Sequence, residues 1–326
     1  MIDRRSILGG GLAAAGLALG ASALPARAQN APIRILIGFA AGGSVDAVAR
    51  LLAESLGTSL GRPVIVENRT GAAGRLAIEA AKSAAPDGDT LLLVPQGPMT
   101  LFTHVFKSLR FDPEKDFAPI SRVCVGDYAL TIGPAAAPAR DLAGFREWLK
   151  TAGDKASYGS PGAGTIPHFI GVATARAFGI PMTHVPYRGS ALSLTDVAGG
   201  QIPCMFSPLS EPIEQHRAQR VRIIATMGAV RTPFIEGVPT LKESGVDLEV
   251  PLWYGLYTSS GVPAATLEKL RPAATAVLSS AAFKERLNRL GLVAAPSTPA
   301  ELTELQRRES ALWGPLVKAS GFTPAD

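Results

Sequence analysis

Phe39-Ala40-Ala41-Gly42-Gly43-Ser44-Val45-Asp46 connects an apolar run to a stretch with helical spacing, which suits it to holding an anion. Glycines let the backbone approach a ligand closely, the first amides of a helix have no partner within the helix, and the macrodipole favours negative charge there. Taken alone, a glycine pair serves equally well as a tight turn, with Ser44 as the helix cap. A second segment of the same kind is Tyr158-Gly159-Ser160-Pro161-Gly162-Ala163-Gly164-Thr165-Ile166-Pro167-His168, in which Thr165 is placed to cap a helix and Pro167 fits its first turn. Two such helix starts, one in each half of the chain, can face one cleft and donate amides to an anion from both sides, with closure burying it. Ser160, Thr165, Gln96 and Tyr187 add uncharged hydrogen-bonding groups. Asp46 and Asp196 would repel a carboxylate aimed at them, so they suit orienting loop amides, holding water, or meeting an amine or hydroxyl. Asp196 reads equally as a solvated helix-face carboxylate, and Arg188 as a surface cation.

Catalytic patterns are incomplete. Tyr158 to Gly162 lacks the first glycine of a nucleophile elbow, Gly162 to Pro167 lacks the last glycine of a dinucleotide fingerprint, and there is no phosphate loop with a lysine. His168 or His184 has the chemistry to serve Ser160 as a base, but a histidine beside Phe169 and Ile170 is ordinarily packed and hydrogen-bonded. His104, His168, His184 and His216 have no metal-ligand spacing with one another or with Cys124 and Cys204. Both cysteines sit in apolar, strand-like runs and read as buried thiols, with a single disulfide in an oxidising compartment as the alternative. Neither metal nor cofactor is expected, and the chain is not read as an enzyme.

The elements that position these loops alternate between strand and helix. Ile33 to Phe39 reads as a strand and Val45, Val48, Leu52 and Leu56 as one face of a helix. Val64 to Val66, a helix over 72–83, and a strand over Thr90 to Val94 continue the pattern, which predicts βαβ units on a mostly parallel sheet. After Phe111-Asp112-Pro113 comes a strand from Ile120 to Val125, with a crossing into a second domain near Gly126 to Thr131. Strands are expected at Ser157–Ser160, Met182–Val185, Ile202–Phe206 and Arg222–Ala225, with a helix over Phe169 to Phe178 among them. Leu252 to Thr258 reads as a strand returning to the first domain, followed by helices over Pro263–Leu278, Ala281–Leu290 and Pro299–Ala319.

The 326 residues, 47% hydrophobic and 18% charged, suffice for two packed domains. The net charge of +5 comes without a Lys/Arg run, so a nucleic-acid surface is not indicated. Arg4-Arg5 precede an uncharged stretch from Ile7 to Leu24 and a small-x-small site at Ala26-Arg27-Ala28, which reads as a cleaved export signal over residues 1–28. Arg4-Arg5-Ser6-Ile7-Leu8 has a twin-arginine pattern, with general secretion as the other route. The domains expected are residues 29–126 as the first part of domain 1, 127–250 as domain 2, and 251–326 returning to domain 1.

In these loops the sequence resembles the Bug family, the extracytoplasmic solute receptors of tripartite tricarboxylate transporters. The resemblance runs through Pro32-Ile33-Arg34-Ile35, Phe39 to Gly43 with Asp46, Val66-Glu67-Asn68-Arg69 with Gly71-Ala72-Ala73-Gly74, and Pro86-Asp87-Gly88. It continues through Phe111-Asp112-Pro113 with Asp116-Phe117, Val185-Pro186-Tyr187-Arg188-Gly189 with Asp196, and Val238-Pro239-Thr240. Gly38 stands where the family usually has proline, and Asp89 where an aromatic or histidine is common. The resemblance implies an α/β, type II-like, two-domain periplasmic binding protein of the Venus-flytrap kind, with mostly parallel sheets and two interdomain crossings. It also implies capture of a small organic acid whose carboxylate is held by both domains' loops, for delivery to membrane transporter subunits or to a sensor. An exported hydrolase is the contrasting reading. By this resemblance the binding positions are Phe39, Ala41, Gly42, Gly43, Ser44, Asp46, Gln96, Ser160, Ala163, Gly164, Thr165 and Asp196. Gln96, Pro98, Met99, Ser207 and Pro208 are candidates for meeting the ligand's far end. A monomer without cofactor, located in the periplasm, is expected. The uncharged character of the loops favours a ligand with one anionic group and an apolar or amide remainder.

Overall fold

The computed structural model describes residues 31–322; the expected export signal lies outside them. The first half begins β1 (Ile33–Ile37), α1 (Ser44–Leu60), β2 (Val64–Asn68), α2 (Arg75–Lys82) and β3 (Thr90–Pro95). β1 pairs in parallel with β2 and β3, as two βαβ units require. α1 forms because Val45, Val48, Leu52 and Leu56 make one apolar stripe, and it stops at Gly61, whose left-handed backbone returns its amide to Gly57 O. The helix expected over 72–83 is shorter: Ala72–Gly74 makes a tight 3₁₀ turn before α2. That turn presses on the end of β1 so closely that a Cβ at Gly38 would lie 2.5 Å from Gly74 Cα.

Two short helices, α3 (Gln96–Thr100) and α4 (Phe102–Val105), follow β3 directly. β4 (Phe117–Ile132) is then one continuous strand, longer than the segment expected from Ile120 to Val125 and running through the predicted crossing. The second half contains α5 (Leu142–Ala152), β5 (Ser157–Ser160), α6 (Ile166–Phe178), β6 (Thr183–Pro186), α7 (Ser190–Ala198), β7 (Cys204–Pro208), α8 (Ile213–Arg217) and β8 (Arg222–Thr226). The chain returns through β9 (Pro251–Ser259) and closes with α9 (Ala264–Ser279), α10 (Ala281–Arg289), β10 (Val293–Ala294) and α11 (Pro299–Ala319).

The strands run in the order β2-β1-β3-β9-β4 and on through β4-β7-β5-β6, with β10 and β8 also pairing with β4. β4 changes partners along its length. Its residues from Phe117 to Asp127 register with β9, and those from Tyr128 to Ile132 with β7 and β8. Asp127 and Pro251 are register partners, so the two crossings between halves lie side by side. The expectation of mostly parallel sheets needs correction. The βαβ pairs are parallel, but β3–β9, β4–β9, β4–β7 and β4–β8 are antiparallel, because strands that cross in opposite directions meet at the junction. Each sheet is therefore mixed.

β9 carries three of the four largest fully buried side chains, Trp253, Tyr254 and Tyr257. Their polar tips are satisfied: Trp253 Nε1 donates to Glu309 Oε2 at 2.9 Å and Tyr257 Oη to Gln306 Oε1 at 3.1 Å, which fixes α11 over the sheet. α11 starts with a capping box between Thr298 and Glu301. Cys124 and Cys204 are buried and free, which decides against the disulfide. Among the described residues no helix is long and apolar enough to cross a membrane.

Candidate functional site

β1, β5 and β7 end in loops and β3 runs directly into α3 at the junction between the halves, and these segments surround a cavity with about 50 Å³ of interior room, enough for several water-sized spheres. Phe39, Ala40, Gly43, Ser44 and Val45 line it from the β1–α1 loop, and Gly97, Pro98 and Phe102 from the segment after β3. Pro161 and Thr165 from the β5–α6 loop and Ile166 and Pro167 from the start of α6 face them, joined by Gly189 to Ala191, by Pro208 at the end of β7 and by Glu211 beyond it. Tyr128 and Tyr254 form the base, on the crossing strands.

In the first loop Gly42 has φ +84°, a conformation that favours glycine, and its amide donates to Asp46 Oδ2 at 3.0 Å. Asp46 also accepts from Arg50 Nε at 2.9 Å and Asn68 Nδ2 at 2.9 Å, and Asn68 Nδ2 reaches Phe39 O at 3.1 Å. Burial alone would raise the Asp46 pKa, but the bonds from Arg50, Gly42 and Asn68 outweigh it and hold this carboxylate below its ordinary range. Asp46 thus braces the loop and does not line the cavity, and neither do Ala41 and Gly42. Ser44 is not the cap expected: Gly43 occupies that position and Ser44 is the first residue of α1. Its amide donates to Glu211 Oε1 at 2.7 Å from the opposite half, its Oγ accepts from Tyr254 Oη at 2.8 Å, and it shares a short contact with Ser210 Oγ.

The second loop is also braced from within. Thr165 precedes α6 as expected, but its hydroxyl donates to Gly162 O at 2.7 Å instead of capping the helix. Gly164 has φ +76° and its amide donates to His168 Nδ1 at 3.1 Å. Ser160 is fully buried, its Oγ donating to Gly162 O at 3.1 Å and lying 2.7 Å from His184 Nε2. Neither Ser160 nor His184 lines the cavity, so this hydroxyl–imidazole pair does not reach a ligand held there. His168 and His184 stack with ring centroids 3.9 Å apart. Burial lowers them to about 4 and about 3 respectively, the second helped by His168, so both are neutral at physiological pH. Ser160, Ala163 and Gly164 do not reach the cavity, and only Thr165 of the second-loop candidates does.

Other candidates have structural partners elsewhere. The Gln96 side-chain amide donates to Pro251 O and accepts from Trp253 N. Because Pro95 is the last β3 residue registered with β9, this amide extends the ladder by one step across the crossing. Tyr187 Oη donates to Asp196 Oδ2 at 2.7 Å, and neither lines the cavity. Arg188 lies in a neighbouring groove with Gly71 to Gly74. Of the far-end candidates Pro98 and Pro208 line the cavity, while Met99 and Ser207 do not.

Sequence reading missed Glu211, Tyr128 and Tyr254. The available signal for Glu211 was position: it follows the end of β7 as Ser44 follows β1, and loops after the carboxyl ends of strands are where α/β folds gather ligand groups. Among the described residues no Lys, Arg or His lines the cavity, and Glu211 is the one carboxyl group that does. Burial pushes that carboxyl up to about 7, against the pull of the Ser44 amide. Among the described residues no cluster of His, Cys, Asp and Glu could hold a metal ion.

Residues 48–322 match the family described as tripartite tricarboxylate transporter family receptor. The UPF0065 protein in the gbd 5' region of Cupriavidus necator is 34% identical over 294 residues, 88% of each chain. The periplasmic binding protein BugD has 30% identity and a TM-score of 0.85, covering 89% of this chain and 98% of its own. MatC of Rhodopseudomonas palustris, solved with bound malate, has 28% identity and a TM-score of 0.82, covering 88% of this chain and 98% of its own.

Proposed function

We propose, from the premise that the chain belongs to the tripartite tricarboxylate transporter receptor family, that it is a periplasmic solute receptor capturing a small organic acid in the cavity between its two halves. The observation that carries this reading is the enclosure of the cavity by segments from both halves, with the start of α1, whose Ser44 amide is engaged by Glu211, on one side and Thr165 beside the start of α6 on the other. Helix starts supply oriented donors to an anion without a cation, and closure removes competing water. The malate-bound relative MatC supports the carboxylate class.

In this reading the halves divide at residues 127 and 250, where β4 changes partners and β9 begins. They hinge on the paired crossings. Asp46, Gly42, Ser160, Gly164 and Asp196 hold loop shape, and the ligand meets Phe39, Gly43, Ser44 and Thr165. The liganded form is recognised by membrane transporter subunits, needs no cofactor and acts as a monomer. Ser160 is fully buried and does not line the cavity, which supports a binding role over hydrolysis.

Thermal shift of purified, ligand-stripped protein against mono-, di- and tricarboxylates, aromatic acids and amino acid amides tests the reading. A rise in Tm confined to particular acids and growing with their concentration is expected. Hydrogen exchange with a positive ligand should show protection of both the 39–46 and 160–167 loops. Protection of one loop only, or ester turnover abolished by Ser160→Ala, would overturn the receptor reading.

A further inference from the structure

Glu211 faces the cavity from the half opposite α1, and its Oε1 accepts from the Ser44 amide at 2.7 Å. An anion seat at the start of α1 is therefore already occupied by a carboxyl of the protein itself. Its other oxygen, Oε2, has no hydrogen-bond partner among the described residues and would lie 3.8 Å from a Cβ placed at Gly43. Among the described residues the remaining ionisable groups on the lining are the phenols of Tyr128 and Tyr254, and no basic side chain lines the cavity from any element around it. A ligand dianion here would place three negative charges in one small, largely apolar enclosure without a cation, an arrangement that loses solvation on every group.

Resting on the carboxylate-receptor reading, we propose that Glu211 selects the ligand class: a monocarboxylate whose other end carries a hydrogen-bond donor, an amine or a primary amide, which meets Glu211 Oε2. The carboxylate of that ligand sits toward the loop with Thr165 and the start of α6, across the cavity from Glu211. Ser44 holds Glu211 in place through its amide, so the acceptor is oriented before the ligand arrives. A second carboxylate at the same end meets repulsion and an acceptor where it needs a donor, which is discrimination by an unsatisfied polar group.

The test is isothermal titration at pH 8 of the wild type and Glu211→Gln with two matched series, butanoate, succinate, succinamate and 4-aminobutanoate, and their six-carbon counterparts. In the series whose length fits, the amine or amide should bind wild type at least about tenfold more tightly than the dicarboxylate, the scale of one hydrogen bond to a charged group. Glu211→Gln keeps the acceptor for Ser44 and removes the charge, and should shrink that preference at least about tenfold, with most of the change in the amine and dicarboxylate. A wild type that binds the dicarboxylate as tightly as its amine and amide analogues overturns the inference, and so does a ratio unchanged in a Glu211→Gln protein with wild-type circular dichroism. Those results leave the receptor reading standing. If no acid of either series nor any of the broader panel binds either protein, the receptor reading itself fails, and the inference with it.

Discussion

Glu211→Gln should make the ligand-free protein more stable at alkaline pH and leave it unchanged in acid. In the folded protein the carboxyl lies between loops from both halves with one amide donor and no cation, and burial raises it from an ordinary 4.5 to about 7. At about 1.36 kcal/mol per pKa unit this costs about 3 kcal/mol when the group is ionised, and partial exposure to the cavity reduces that to about 2 kcal/mol. Between pH 4.5 and 7 the unfolded chain releases this proton first, so the folded state binds more protons and stability falls as pH rises. The full stability is present below pH 4.5, is lost through pH 7, and stays low above it. Glutamine does not titrate and still accepts from Ser44. The Tm difference, variant minus wild type, should therefore grow from near zero at pH 4 to about 4 °C at pH 8, using about 2 °C per kcal/mol for a chain of this size. Glu309 is also pushed up to about 7 by burial, but it is present in both proteins and cancels in the difference. Differential scanning calorimetry at four pH values measures this. A difference independent of pH, or one that shrinks toward alkaline pH, refutes the placement of an unpaired carboxyl in the cavity.

Three further outcomes are expected. Asp46→Ala removes the common acceptor of Gly42, Arg50 and Asn68 at a site only 4% exposed. It should cost about 2 kcal/mol in denaturant melts and weaken ligand binding, and unchanged affinity would detach the first loop from the site. Gly43→Val places a branched side chain where a Cβ alone comes 3.3 Å from Glu211 Oε1, and titration should show affinity lower by about tenfold or more with folding retained. Both thiols should be inert to Ellman's reagent in native protein and titrate as two after unfolding without reductant, since Cys124 and Cys204 are buried, free and raised above their ordinary range by burial. Release of fewer than two thiols would indicate a bond between them.

The fold was readable where local pattern and global arrangement agree. The α1 stripe, the buried β1 and β3 runs, and α11 from Pro299 to Ala319 are set by apolar period, a glycine stop and a capping box, all local signals. The full length of β4 was not, because its two ends serve different sheets and Gly126-Asp127 interrupts the apolar run at the point where partners change. Mixed pairing followed from the same tertiary choice. In the site, glycine loops located the cavity, since backbone geometry is written in the glycines themselves. Side-chain direction was not written there: Ser160 turns to its own loop, Gln96 to β9 and Asp196 to Tyr187. Glu211 lay in an unremarked loop, and its contact with Ser44 spans 167 residues of sequence.

The place of β9 in the sheet has a consequence for the order in which the chain matures. β9 lies between β3 and β4, so the first sheet has no central strand until residues 251–259 are available. The strands of the other sheet, from the end of β4 through β8, are all complete by Thr226. A polypeptide emerging from its amino end can therefore assemble its interior segment before the part that was synthesised first, and β3 and β4 must wait with open edges for a partner that closes the gap. The final insertion joins residues far apart in sequence, the kind of pairing whose loop-closure entropy makes it an expected slow step.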